Sequence, residues 1–392
     1  MPTIDLADLG LDEGGAILLA RALAPLAPGE RLRVDGAHPL LALHLSTWCR
    51  AKGHRSEEVD GVLWVERGGA VDARWRGAAR AGGPSPEQHA TSADPAWGFA
   101  ARGALVEAGG PPSIADLHDD RSAWCDLAPQ LYAQAVAAQW DPSSAIDWAA
   151  PITHGDAVEA AVCQVMTYLI ENEMAALVVP SRFIARVHPH FREVVQLLAI
   201  QCADEARHVE VFTRRATLRT GSLGTSSVGG RASLHTLTTE HDYDLATFLL
   251  SVLGEGSFLS LLGFLERHAP DPVTAQVARL ALQDEARHVA FGQAHLEHAV
   301  RLDPQVRDRL RSAIERRHDA LAGTAGLNAD TFDALTVLAA GEWSIAALRR
   351  GWAAVQDLQR DMDLGRRRRL VRLGFSEGEA SDLAGLHTRN FM

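Results

Sequence analysis

The sequence predicts a mainly helical protein, a four-helix bundle with extra helices, preceded by a small α+β sandwich domain. From about residue 118 onward the chain is strongly helical in character, and its apolar periodicity predicts four long helices at 154–187, 190–218, 241–268 and 272–302. Short segments that contain proline separate the two helices of each pair, whereas residues 219–240 form a much longer connection between the pairs. Two hairpins joined by one long crossover are typical of one class of four-helix bundle.

Length and composition indicate a soluble globular protein with more than one domain or one enlarged domain. The chain has 392 residues, of which 47% are apolar and 22% are charged, whereas single compact cores rarely extend beyond ~250–300 residues. The formal net charge of −12 argues against a nucleic-acid partner, because no basic surface dominates. One short basic run, Arg366 to Arg369, is expected to form a solvated helix face.

Apolar runs, the first residues and the cysteines indicate in which compartment of the cell the protein is located. No apolar run approaches the ~20 residues that span a bilayer, and the first residues lack the basic start and apolar stretch of a signal peptide. We therefore expect a cytoplasmic protein without a membrane partner. The cysteines form no CxxC pair, which argues against a zinc knuckle and against a disulfide framework; they are Cys49, Cys125, Cys163 and Cys202.

Three regions are predicted along the chain: an α+β domain at 1–80, a linker at 81–117 and the helical domain at 118–392, with its core helices within 154–302. In the first region, strands are predicted at 31–36 and 61–68 and helices at 16–26 and 39–53. The linker is rich in Gly, Pro, Ala and Ser.

The first 80 residues resemble a known small domain. The stretches ILLARALAPLAPGERLRV and WCRAKGHRSEEVDGVLWVERG are similar in length and order to the TusA-type sulfur-carrier domain. Members of that family carry a reactive cysteine followed by proline just before the first helix. Here Asp12 and Glu13 stand at the corresponding place, so a thiolate nucleophile is missing. We expect a structural or docking role for this domain.

A repeated pentapeptide is the strongest chemical signal in the chain. Asp-Glu-Ala-Arg-His occurs at 204–208 and again at 284–288. Each copy places a glutamate and a histidine three residues apart, and such positions are neighbours on one helix face. Glu205 with His208 can therefore hold one metal ion, and Glu285 with His288 can hold another.

Each pentapeptide follows a helix that carries a glutamate within its apolar stripe. Glu173 lies 32 residues before Glu205, and Glu255 lies 30 residues before Glu285. A carboxylate in a buried stripe is unfavourable unless it is paired or bound to a metal. Glu171 is a rival for the first position, but its stripe is more polar, so Glu173 is preferred.

These residues together predict a site for two metal ions, with one glutamate from each of two helices and one Glu-x-x-His from each of the others. Mixed carboxylate and imidazole ligands without a thiolate suit iron, and manganese is possible. The candidate ligands, which are also the candidate catalytic residues, are Glu173, Glu205, His208, Glu255, Glu285 and His288.

The remaining residues of the pentapeptide also have a predicted use. A histidine that binds a metal needs a partner for its other ring N–H. Asp204 and Asp284 can reach the histidine of the facing helix, with Arg207 and Arg287 compensating their charge. We expect these four residues to surround and orient the ligands.

Residues 120–300 resemble the ferritin-like superfamily, in particular its oxygen-activating branch of multicomponent monooxygenases, acyl-carrier desaturases, ribonucleotide reductase small subunits and arylamine N-oxygenases. The resemblance implies a di-iron oxidoreductase that uses O₂ to hydroxylate, desaturate or N-oxygenate a small organic molecule. It also implies an external electron donor, and we expect a homodimer. The alternative is a ferroxidase or peroxidase that handles iron or oxidative stress.

Single residues argue against two of these enzyme classes. Ribonucleotide reductase small subunits usually carry a radical tyrosine beyond the first Glu-x-x-His, but Phe212 and Gly292 stand seven residues after Glu205 and Glu285. Some arylamine N-oxygenases have a third histidine where Ala281 stands here.

Several other residues near these motifs are predicted to be structural. His295 is expected to be a hydrogen-bonded histidine of the bundle, and Trp140 is expected to pack beside the bundle rather than relay electrons. Gly254 and Gly256 flank Glu255 and indicate either space or a helix bulge near the metal, or a close helix contact. Small or flexible core side chains are expected at Cys202, Met166 and Met174.

Overall fold

A computed structural model describes residues 2–322 and 329–387 of the chain. It contains two compact units. The first comprises residues 1–81 and 103–111, and the second comprises residues 82–102 and 112–392.

The first unit is built on a four-stranded sheet with the order β1-β2-β4-β3, in which β1 is parallel to β2 and the other pairs are antiparallel. The strands are Thr3–Asp5 (β1), Arg31–Asp35 (β2), Arg55–Val59 (β3) and Val62–Glu66 (β4). The helices are Gly15–Leu23 (α1), Leu41–Lys52 (α2) and Ala70–Arg74 (α3), and a small second sheet pairs Ala79–Arg80 (β5) with Leu105–Val106 (β6).

The core of this unit explains which elements could be predicted. Leu19 and Leu23 of α1 and Leu45 of α2 are buried together with Leu32 and Val65 of the central strands. The predicted helices and the strands β2 and β4 are therefore confirmed. Strands β1 and β3 were not predicted, because β1 has three residues and the edge strand β3 is mostly exposed, without an alternating apolar pattern.

The second unit is helical. Two short helices, Asp120–Ala123 (α4) and Ala128–Ala137 (α5), precede two long ones, Asp156–Ile184 (α6) and Arg192–Thr217 (α7). The next elements are Val228–Thr238 (α8), Tyr243–Thr247 (α9), a π-helix at Phe248–Glu255, Gly256–His268 (α10) and Pro272–Leu302 (α11). The C-terminal helices are Val306–Ala322 (α12), Ala329–Ala340 (α13), Ile345–Arg372 (α14) and Glu377–Gly385 (α15).

The four predicted core helices are confirmed to within a few residues. They are α6, α7, the continuous helix formed by α9, the π-helix and α10, and finally α11; α6 packs on α7 and α10 packs on α11. Local chemistry sets the breaks between them: Pro272 occupies the first turn of α11, and Asp271 caps that helix by accepting a hydrogen bond from the backbone N–H of Thr274 at 2.8 Å. The fold is thus a mainly helical bundle with extra helices, in a chain that begins with a small α+β unit.

Two of these helices are long and apolar enough to cross a membrane by length and composition alone. They are Asp156–Ile184 and Tyr243–His268. Most residues of both apolar windows are buried inside the protein, and each helix carries one of the predicted glutamate ligands. Core helices of helical bundles commonly have this composition.

The expectation for the arginine run is wrong. Arg366 is fully buried, and its guanidinium donates hydrogen bonds to the carbonyl oxygen of Ala384 and to Oγ of Ser257. Helix α14 packs against α10, α13 and α15, so more than one of its faces is covered. Arg368, by contrast, is exposed.

The two methionines that were predicted to lie in the core differ in their burial. Met166 is buried as predicted, but Met174 is 46% exposed, because the residue next to the inward-facing Glu173 points about 100° away around the helix.

The predicted domain and linker boundaries stay a prediction. Residues 82–102 of that segment belong to the helical unit, where Arg102 forms a buried ion pair with Glu193.

Candidate metal centre

The repeated pentapeptides face each other across the bundle. Helix α7 places Glu205 and His208 on its buried face, and α11 does the same with Glu285 and His288. The other two predicted glutamates come from α6 and from the last residue of the π-helix, Glu173 and Glu255. All six side chains are at most 4% exposed.

The six residues form two overlapping groups, in each of which one ligand atom per residue lies within 4.8 Å of the others. The first group contains Glu173, Glu205, His208 and Glu285, and the second contains Glu205, Glu255, Glu285 and His288. Glu205 and Glu285 belong to both groups, so each of them could contribute to two metal sites.

Only one of the two rival glutamates of α6 belongs to this cluster. Glu173 is a member of the first group, whereas Glu171 is half-buried and lines a neighbouring cavity. The two residues are 200° apart around the helix axis at about 100° per residue, so both cannot face the bundle interior. The structure therefore favours Glu173 as the predicted ligand of α6.

Unpartnered polar atoms show that the cluster suits metal ions. Nδ1 of His288 approaches Oε1 of Glu205 to 2.9 Å, and Nδ1 of His208 lies 3.3–3.6 Å from oxygens of Glu173, Glu205 and Glu285. Both Nδ1 atoms nevertheless lack a partner with hydrogen-bond geometry among the described residues, as do both carboxylate oxygens of Glu205 and one oxygen of each other glutamate in the cluster. Leaving so many buried polar atoms unpartnered is strongly unfavourable. Two cations would bind them, and this donor set fits a dinuclear iron or manganese site.

The crowding of buried carboxylates in the cluster also favours a bound cation. Burial raises the pKa of Glu173 and of Glu255 well above the usual range, and the negative charges of neighbouring glutamates raise both further. For the histidines the effect of burial has the opposite sign and would lower the pKa of His208 and of His288. The surrounding carboxylates outweigh burial and hold both pKa values well above the usual range. Confined carboxylates of this kind are stabilised by bound cations.

Each histidine of the cluster lies within hydrogen-bond distance of an aspartate of the facing helix. His208 Nε2 lies 3.2 Å from Oδ2 of Asp284, and His288 Nε2 lies 3.3 Å from Oδ2 of Asp204. When each Nε2 donates its hydrogen to an aspartate, the Nδ1 lone pair is directed toward the cluster. This is the tautomer that a metal-binding imidazole needs.

The two arginines of the pentapeptides join the aspartates into one network. Nη2 of Arg207 donates hydrogen bonds to Oδ1 of Asp204 and, at 2.8 Å, to Oδ2 of Asp284. Arg287 contacts the same two aspartates. Each aspartate therefore carries two compensating guanidinium contacts, which stabilises the charged form that the histidines need.

Gln139 and Trp140 also belong to this network, although their contacts with the aspartates were not predicted from the sequence. Gln139 donates a hydrogen bond to Oδ1 of Asp204 at 3.0 Å and accepts one from Arg207 at 2.6 Å. Trp140 packs beside the bundle, as predicted, but its indole N–H also donates to Oδ2 of Asp284 at 2.8 Å. Both residues follow α5 and lie far from the aspartates in sequence, so no spacing pattern could have linked them.

A helix bulge and a close helix contact were the explanations predicted for the glycines beside Glu255, and both occur in the structure. The π-helix is the predicted bulge, and it ends at Glu255. Gly256 is also a close-contact position, because a Cβ atom there would overlap the guanidinium of Arg369 from α14. In addition, Nε2 of Gln201, another residue that the sequence analysis missed, donates a hydrogen bond to Oε1 of Glu255 at 3.1 Å.

A cavity of about 50 Å³ adjoins the cluster. Glu173, Glu255 and Glu285 contribute to its lining. Its apolar wall comes from α8, the π-helix and α10 and includes Leu234, Leu237, Leu249, Leu250, Leu253 and Phe258. Half-buried residues such as Glu171 and Gly230 mark the side nearest to solvent.

Two other residues near the cluster have ordinary surroundings. His295 lies within hydrogen-bond distance of the Trp124 carbonyl and of Asp244, which confirms the prediction of a hydrogen-bonded histidine. Cys202 is half-buried rather than fully buried, and its thiol lies 3.8 Å from the carbonyl oxygen of Leu177.

No protein-family model matches the chain, and no curated protein matches it. Solved structures of R2-like ligand-binding oxidases are similar to it in part. One, a variant with an aerobically reconstituted Mn/Fe cofactor, is 19% identical over 66% of this chain and 95% of its own, with a TM-score of 0.47. A second variant, with an anaerobically reconstituted Mn/Fe cofactor, is 18% identical over 64% of this chain and 95% of its own, with a TM-score of 0.48. The oxidase from Sulfolobus acidocaldarius is 14% identical over 62% of this chain and 92% of its own, with a TM-score of 0.42.

Proposed function

We propose that the protein is a dinuclear metal oxidase or oxygenase that uses O₂ to oxidise a small organic molecule in the cavity beside the cluster. One observation supports this proposal above the others. Six buried carboxylate and imidazole side chains converge with their unpartnered atoms facing one another, and three of them also line an apolar cavity.

The ligand set determines which chemistry is available. Glutamate and histidine without cysteine suit iron or manganese, and a structural zinc site would favour thiolates. When bound, two such ions supply the electrons that reduce O₂ and the oxidising capacity that acts on the substrate. The surrounding leucines would exclude water, so that the oxidising capacity is directed at the organic molecule.

The protein side chains have separate tasks in this scheme. Glu205 and Glu285 belong to both groups of ligand atoms and would contribute to holding both ions, whereas Glu173 and Glu255 would each contribute to holding one. Asp204 and Asp284 lie 3.2–3.3 Å from Nε2 of the two histidines and would hold them in the tautomer that binds metal through Nδ1. The cavity wall binds the apolar part of the substrate next to Glu173, Glu255 and Glu285.

The overall stoichiometry requires a reductant if the reaction is an oxygenation. A hydroxylation inserts one oxygen atom of O₂ into a C–H bond, and the other atom leaves as water after taking up two electrons and two protons. We propose that an external electron-transfer protein supplies these electrons. A homodimer and a cytoplasmic location also stay predictions.

Labelled oxygen tests the proposal against its rival. The purified protein would be loaded without air with Fe²⁺ alone, or with Mn²⁺ and Fe²⁺ together, and then exposed to ¹⁸O₂ with cell extract metabolites and a chemical reductant. We expect ¹⁸O in an organic product, or a product that has lost two hydrogens, as desaturation gives. Consumption of O₂ that yields only water and ferric mineral would instead assign the centre to ferroxidase chemistry.

A further inference from the structure

The two carboxylate oxygens of Glu255 have different surroundings. Nε2 of Gln201 donates a hydrogen bond to Oε1 of Glu255 at 3.1 Å, and both residues are at most 4% exposed. The amide nitrogen of Gln201 faces the carboxylate because the nitrogen carries the hydrogens, whereas two acceptor oxygens would repel each other. Oε2 of Glu255 has no partner among the described residues. One oxygen of this carboxylate is therefore occupied by the protein, and the other is free for a metal ion.

Glu205 shows the opposite arrangement. Neither of its carboxylate oxygens has a hydrogen-bond partner among residues 2–322 and 329–387, and Glu205 belongs to both groups of ligand atoms. Glu255 belongs to the second group alone. A carboxylate that contributes to two ions can use both oxygens, whereas one that binds a single ion through one oxygen can accept a hydrogen bond with the other. The hydrogen bond from Gln201 thus suits the place of Glu255 in the cluster.

The two helices that carry this pair differ in regularity. Gln201 lies four residues before Glu205 on α7, so the two side chains share one buried face of a regular helix. Glu255 is the last residue of the π-helix, where the backbone departs from the α-helical hydrogen-bond pattern. A buried amide is unfavourable unless it forms hydrogen bonds. Gln201 therefore ties a ligand on irregular backbone to a fixed point on α7.

We propose that Gln201 is a positioning residue that restricts Glu255 to binding one metal ion through Oε2 alone. Carboxylates bind cations through either one or two oxygens, and without the hydrogen bond Glu255 could turn and bind the same ion through both. By occupying Oε1, Gln201 keeps one coordination position of that ion open. Glu255 lines the cavity beside the cluster, and the open position would serve a small molecule that enters there. This inference rests on the proposed function, which it deepens by naming the residue that controls access to one of the two ions.

Gln201→Met tests the inference, because methionine has a similar length and no hydrogen-bond donor. The full-length protein would be loaded without air with ⁵⁷Fe²⁺ and studied by Mössbauer spectroscopy. We expect the variant to bind as many iron ions per chain as the wild type, with a changed signal for one ion and an unchanged signal for the other. Nitric oxide is the second probe, because it binds a ferrous ion through an open coordination position. Its affinity should be about threefold to tenfold weaker in Gln201→Met, which corresponds to the contribution of one hydrogen bond.

Two further variants complete the experiment. Gln196→Met is the matched control, because Gln196 lies on the same helix and is exposed; its spectrum and its affinity for nitric oxide should equal those of the wild type. Gln201→Leu also lacks a donor, should behave like Gln201→Met, and replaces it if that variant does not fold. The wild type is itself informative, because the open position requires that it bind nitric oxide.

Several outcomes would overturn the inference. An unchanged spectrum with unchanged nitric oxide affinity in Gln201→Met would do so, as would an iron-loaded wild type that binds no nitric oxide. Equal changes in the signals of both ions, or loss of both ions, would give Gln201 a general structural role instead. A wild type that binds no iron would refute the proposed function together with this inference, whereas an iron-loaded wild type with an unaltered variant would refute the inference alone.

Discussion

Nε of Arg369 donates a hydrogen bond to the backbone carbonyl of Val252 at 2.7 Å. Val252 lies within the π-helix that ends at Glu255, and Gly256 leaves the space that the Arg369 guanidinium occupies. An α-helix would use each carbonyl in its regular hydrogen-bond ladder, whereas a π-helix changes that pattern locally. Arg369 on α14 therefore supports the backbone segment that presents Glu255 to the cluster.

The first prediction follows from that contact. Arg369→Met removes the donor and leaves the Val252 carbonyl buried without this partner, so we expect a loss of about 1–3 kcal/mol in the free energy of unfolding. We also expect weaker binding of the ion that depends on Glu255. Denaturant unfolding and metal titration would measure the two effects. The exposed neighbour Arg368→Met should show neither, and normal metal titration in Arg369→Met would contradict the positioning role.

The second prediction separates the two glutamates of α6. Glu173→Gln removes a charged ligand from the first group of the cluster, and we expect the content of bound iron to fall below two ions per chain after anaerobic loading. Glu171→Gln is the matched control, because that residue lies on the same helix but outside the cluster, and its iron content should equal that of the wild type. Iron analysis of the desalted proteins gives the answer. If Glu171→Gln lost iron while Glu173→Gln kept it, the ligand assignment would be reversed.

The third prediction concerns the aspartates that orient the histidines. Asp204→Asn should weaken the hydrogen bond from His288 and reduce metal affinity by about tenfold to a hundredfold. Asp284→Asn should act in the same way through His208. Competition with a chelator of known affinity would measure the change. Unchanged iron loading and turnover in Asp204→Asn would show that neither metal binding nor activity depends on the contact between Asp204 and His288.

The fourth prediction ranks Trp140 below the aspartates. Trp140→Phe removes the indole N–H that donates to Asp284, but Arg207 and Arg287 still contact that carboxylate. We expect a reduction of metal affinity by a few-fold, about 1 kcal/mol or less. The same chelator competition applies. An effect as large as that of Asp284→Asn would mean that Trp140, and not the arginines, stabilises the aspartate.

The fifth prediction is a pH dependence of stability. Burial and the charge of Arg102 lower the pKa of His190 to about 4, and Nε2 of His190 accepts a hydrogen bond from the backbone N–H of Ala90 at 2.8 Å. The ring must be neutral to accept, and its folded pKa lies below its unfolded value of about 6.5. Its stabilising contribution is therefore complete above about pH 6.5 and is lost as the pH falls toward 4.

Denaturant unfolding between pH 7 and 4 would measure this contribution. Relative to His190→Gln, the wild type should lose stability more steeply over that window, by at most about 1.4 kcal/mol per pH unit, which corresponds to one proton. The variant is informative because its amide oxygen can still accept from Ala90 without titrating. Parallel pH profiles of the two proteins would exclude His190 as the titrating group.

The sequence by itself determined the four long helices and the six residues that their buried faces bring together. Apolar periodicity, proline breaks and the repeated pentapeptide are local signals, and the three-residue spacing of Glu205 and His208 fixes their common helix face. The histidine–aspartate pairs were also predictable, because the two pentapeptides repeat on facing helices. The rival positions of Glu171 and Glu173 differ by 200° around one helix, and the sequence could only rank them by the polarity of their stripes.

Only the tertiary structure decided which distant residues complete the centre. Gln201 contacts Glu255, Trp140 contacts Asp284, and Arg369 contacts the Val252 carbonyl. Nothing in the local sequence around these three residues marks them, because their partners are set by packing between helices. The burial of Arg366 and the placement of Arg317 and His387 beside one cavity have the same cause, which is the packing of the C-terminal helices α12, α14 and α15 within the helical unit. Periodicity along one helix identifies its buried face, but the neighbours of that face are chosen by the packing of the whole chain.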